Sequence, residues 1–101
     1  MTDESKLVKE QSRGVRAQQL VNDELLTEAF TELERSYIAA WRSTTINDTA
    51  AREKLFLAIN VVGKVRDHLA SVVRDGKVAE AELKALAQAA ERRTLRQRLV
   101  G

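Results

Sequence analysis

No proline interrupts this chain of 101 residues, and only four glycines occur, at positions 14, 63, 76 and 101. Proline is the residue that most reliably ends a helix, because it lacks the N–H and clashes with the preceding turn. Without it, and without any strand-like alternation of β-branched residues, long helices are the natural reading. Aromatic residues are few: Phe30, Tyr37, Trp41 and Phe56. The core therefore has to come from Leu, Val, Ile and many Ala, a composition suited to close helix-on-helix packing.

The clearest periodic signal lies between Asp23 and Arg42. Leu26, Phe30, Leu33, Tyr37 and Trp41 recur at spacings of three and four, which is one apolar stripe on a helix. Leu25, Ala29 and Ile38 widen it, while Glu28, Glu32 and Glu34 lie off it. Asn22 is the expected N-cap, and Asp23 and Glu24 suit the positive end of the helix dipole. Ser43 to Asp48 breaks the period and reads as a turn, with Asn47, Asp48 or Thr49 able to cap the next helix.

A second helix is expected from Thr49 to Arg74. Leu55, Ile59, Val62, Leu69 and Val73 share a face, with Arg66 where the stripe would otherwise continue. Phe56, Val65 and Val72 broaden the pattern, so more than one flank is expected to be covered. Gly63 sits in its middle at a propensity cost of about 1 kcal/mol against Ala, which points to close approach of another helix there. Arg74-Asp75-Gly76-Lys77 reads as a helix stop, with Gly76 as the left-handed residue after the last turn. A further helix, Val78 to Leu99, carries a weaker, Ala-rich stripe and a basic end.

The fold class expected is thus all-α: an antiparallel helical hairpin at about 23–43 and 49–74, plus a C-terminal helix. This bundle would be completed by oligomerisation, since a chain this short buries a limited share of its surface by itself. Residues 1–21 are polar, with sparse apolar points and Gly14, and read as a loosely held helical arm. Residues 22–101 read as one helical domain. Short connections favour antiparallel neighbours.

Charge is divided unevenly. Residues 1–51 carry six Lys/Arg and nine Asp/Glu, whereas residues 52–101 carry eleven and six. Such polarity favours self-contact or a partner for one end. The basic excess concentrates in Arg92, Arg93, Arg96 and Arg98, with Lys84 a few turns earlier. These five are the candidates for binding nucleic acid or an acidic partner, because guanidinium forks match phosphate oxygens. No aromatics interleave with them, so stacking on single-stranded bases is not expected.

Catalytic readings find little support. Cysteine is absent and His68 is the single histidine. His68 adjoins Asp67, but neighbouring residues on a helix do not face each other. The carboxylate pairs Glu24/Glu28 and Glu28/Glu32 lack the Glu-x-x-His pattern of a bundle metal site. No cofactor or metal is expected, and the protein is read as a non-enzyme. Residues 1–6 lack a secretory pattern, and no apolar run approaches the length of a membrane span. The expected location is the cytoplasm of a bacterial host, or a virion. Self-association is assigned to Leu26, Phe30, Leu33, Tyr37, Trp41 and Gly63.

The run from Ala17 to Phe30, then Leu33-Glu34, Ala40-Trp41, Ala51-Arg52-Glu53 and Val72 with Asp75-Gly76-Lys77-Val78, resembles short helical proteins of phage and prophage head-and-packaging gene clusters, of the small terminase subunit type. The resemblance spans about residues 15–80. It implies a homo-oligomer acting in DNA packaging or virion assembly, with a larger packaging or head protein, and possible DNA, as partners. Residues 1–21 are too short for the helix-turn-helix that such subunits often carry. What the resemblance leaves is the oligomerising hairpin alone. Two other functions fit the residues: a basic nucleic-acid-binding accessory protein, and a small adaptor or inhibitor of a larger enzyme.

Overall fold

The structure, a computed structural model, describes residues 3–100. Residues 1, 2 and 101, which belong to the expected arm and domain, lie outside it. The chain is all-α. Among the described residues it forms α1 (Glu4–Val21), α2 (Glu24–Ser43) and α3 (Thr49–Val100), with no strand.

Side-chain caps set the breaks. The Asp3 carboxylate accepts the Ser5 N–H at 3.0 Å and opens α1. Between α1 and α2 the cap is Asp23, not the expected Asn22. Asp23 is extended (φ −73°, ψ 118°) and its carboxylate accepts the Leu26 N–H at 2.9 Å. The Asn22 side-chain oxygen instead accepts from Gln18 Nε2 at 3.2 Å, one turn back. Both residue types can cap; the carboxylate that takes the role carries the charge favoured at this end of the dipole. At the other end of α2, the Thr44 N–H and hydroxyl both donate to the Trp41 carbonyl, at 3.2 and 2.6 Å. Asp48 then ties the turn, accepting from the Thr45 N–H at 3.1 Å, while its carbonyl receives the Arg52 N–H.

The expected stop at 74–77 does not occur. α3 runs through it, and no glycine among the described residues has positive φ. None of Arg74, Asp75 or Lys77 opposes helix, and Gly76 serves packing instead of chain reversal.

Two compact units result. One joins the chain through Ala17 with the chain from Val72 onward. Here α1 is a packed helix rather than a loose arm, because Leu7, Gly14 and Ala17 are buried. Gly14 and Gly76 meet backbone to backbone: a Cβ on either would lie 2.6 Å from the other's Cα. Ala79, 1% exposed, belongs to the same unit. Small residues let the two backbones approach, which explains why a polar helix with few large apolar side chains still packs.

The other unit is Gln18–Ser71 and contains the hairpin. Its contacts establish the antiparallel register. Arg52 lies over the Trp41 ring at 4.7 Å and donates to Thr44 Oγ1 at 2.8 Å. Further along, Arg66 lies over the Phe30 ring at 5.5 Å, donates to Thr31 Oγ1 and pairs with Glu34 at 3.2 Å. Arg66 thus fits an apolar seam by laying its stem and guanidinium on an aromatic face and placing its charge at the rim.

Candidate protein-interaction surface

The α2 stripe faces its own α3. Leu26, Phe30, Tyr37 and Trp41 are half-buried, opposite half-buried Leu55, Ile59, Arg66 and Leu69 and the buried Val62. Four of the residues assigned to self-association are therefore seam residues within the hairpin. Leu33, the fifth, stands on the flank and is exposed. Gly63 is not a point of close approach: a Cβ there would find no atom within 4 Å. The helix contact expected at Gly63 occurs at Gly14 and Gly76, in the other unit.

Beside the seam lies a flank that periodicity alone does not single out. Leu25 and Leu33 of α2 and Leu57, Val61 and Val65 of α3 are each between 44% and 75% exposed. Ala29 and Ala40 are exposed on the same flank of α2. The clue in the sequence is the width of the apolar pattern, which exceeds what one partner helix can cover. One flank of each helix is used by the hairpin, and the excess is left to water.

The opposite flank carries the Arg66–Glu34 pair and also exposes Ile38 and Phe56. A cleft of about 290 Å³ opens there, lined by Leu20, Val21, Leu26, Phe30 and Leu69 with Thr27, Thr31 and Arg66. Its single cation is already engaged by Glu34 and Thr31. No group of three or more His, Cys, Asp or Glu side chains is placed to hold a metal ion among the described residues.

Arg92, Arg93, Arg96 and Arg98 lie in the last turns of α3, and Lys84 lies nearer its middle. From Lys84 to Val100 every residue is exposed. The ion pairs among the described residues are Arg35–Glu32 and Arg66–Glu34, so none of these five cations has a carboxylate partner. Arg93 and Arg96 border a shallow surface with Gln97 and Val100. The arginines share a helix end, and Lys84 lies about 12 Å before Arg92 along the axis of α3. No helix among the described residues is long and apolar enough to cross a membrane.

No protein-family model, curated protein or solved structure matches the chain.

Proposed function

We propose that this protein is a non-enzymatic, self-associating helical component of an assembly, of the phage-type packaging or virion-assembly kind. The observation that carries the self-association is the exposed apolar surface. Among the described residues, seventeen large apolar residues are exposed, against four apolar residues that are buried. At roughly 25 cal/mol per Å² of apolar area, so much uncovered surface is a standing drive toward association. The phage-type setting rests on the sequence resemblance over about residues 15–80. Light scattering across a concentration series tests the reading. Masses above the 11.3 kDa of one chain are expected, and a strict monomer at tens of micromolar overturns it.

The unpaired cations at the end of α3 favour a second reading, nucleic-acid binding through phosphate contacts. Binding to duplex DNA should then weaken steeply with salt. Replacing Arg92, Arg93, Arg96 and Arg98 by Gln should flatten that dependence, by up to about 0.9 in logarithmic slope for each phosphate no longer neutralised. An unchanged slope removes this reading.

A further inference from the structure

We infer that a second copy of this chain seats on the exposed apolar flank of the hairpin, about a two-fold axis running along it. The inference rests on the self-association proposed above and names the surface and symmetry that produce it.

The flank is built from matching positions on the two helices. Take Phe30 on α2 and Val62 on α3, both in the seam, as origins. Leu33 and Val65 stand three residues after them, Ala29 and Val61 one before, and Leu25 and Leu57 five before. Right-handed helices in an antiparallel pair turn in opposite senses when viewed from one end. Equal offsets from the seam therefore fall on the same side of the hairpin. Leu25, Ala29 and Leu33 thus lie on the same side as Leu57, Val61 and Val65, turned away from the Arg66–Glu34 pair; the Arg66–Phe30 and Arg52–Trp41 contacts set Leu33 level with Val65, Leu25 toward the open end and Leu57 toward the turn, so the face runs diagonally across the hairpin. All six are exposed. Ser36 and His68, again at equal offsets, are polar members within it, and Lys54 lies toward the turn.

Charge selects the occupant. Glu32 and Lys64 occupy the same offset, two residues after the origins, on the outer rims of α2 and α3. The contacts of Arg66 with Thr31 and Glu34 place them at about the same height along the hairpin. Glu32 is a carboxylate and Lys64 an ammonium, so at this height the face complements a copy of itself. With the two-fold axis along the hairpin, each α2 lies over the other copy's α3, and each Glu32 meets a Lys64. An axis across the hairpin would set α2 on α2 and like charge on like. Arg35 engages Glu32 through Oε1, which leaves Oε2 for the second copy's lysine.

The test is light scattering on the full chain, with helicity checked by circular dichroism. Wild type should run at two-chain mass. Val61→Glu, on an exposed position outside the seam, should run as a helical monomer, whereas Leu99→Glu at the far end of α3 should leave the mass unchanged. Glu32→Lys and Lys64→Glu should each raise the dimer dissociation constant about tenfold, and the double reversal should return it to within about threefold of wild type. A Val61→Glu protein that keeps wild-type mass overturns the face but leaves self-association standing. Single reversals that weaken the dimer without rescue in the double overturn the axis. A monomeric wild type overturns both this inference and the reading beneath it.

Discussion

At Gly14 and Gly76 one added methyl group meets backbone, and backbone cannot rotate away. A Cβ on Gly76 would lie 2.6 Å from the Gly14 Cα and 3.2 Å from the Glu10 carbonyl oxygen. Gly76→Ala should therefore destabilise the protein by about 1–3 kcal/mol, the usual cost of overpacking, despite the better helix propensity of Ala. Gly63→Ala should do the opposite. With nothing within 4 Å of the new Cβ, only the propensity difference remains, and a gain of up to about 1 kcal/mol is expected. Urea titration of the two variants reads both signs. The contrast also shows what a sequence conceals. All helical glycines carry the same propensity penalty, so Gly63 invites the reading of a close approach and Gly76 that of a helix stop. The decision is made by α1, which lies far away in the chain, and no local pattern reports that encounter.

Elements are legible where their boundaries are local. The spacing from Leu26 to Trp41 gives α2, and the Thr44–Asp48 turn follows from residues whose side chains bond to backbone a few positions away. The cap choice between Asn22 and Asp23 is less legible, since either could serve. Asp23→Ala should cost about 1 kcal/mol by freeing the Leu26 N–H, whereas Asn22→Ala should cost much less, a difference thermal melts can resolve. The length of α3 is hidden because a Gly-containing polar run resembles a stop unless α1 is known to pack on it. Its last turns have no cover in the chain, with every residue from Lys84 exposed. Sparse packing means low local stability. Backbone amides beyond about residue 86 should therefore exchange with solvent well before those of 55–69, and hydrogen exchange with residue-level readout checks this. Slow exchange in the last turns would mean that a partner covers the basic end, not only the hairpin.

For the whole molecule the question is how so thin an interior is held together. Among the described residues Leu7, Ala17, Val62 and Ala79 are the buried apolar ones, two of them alanines that contribute little area. The basic cluster is legible as residues but not as a site, because its meaning depends on whether anything neutralises it. The apolar flank is legible only as surplus width. If folding is coupled to association through that flank, mass action makes stability depend on concentration. The wild-type melting midpoint should rise with protein concentration. Val61→Glu should melt lower and at a midpoint independent of concentration, because its chain folds alone. The size of the interval between the two curves then measures what the second copy contributes. A wild-type midpoint that stays constant over a hundredfold concentration range would mean that the two units stand without it. The exposed leucines and valines would then have to be covered by a different kind of partner, with the arginines of the last turns as the next surface to probe.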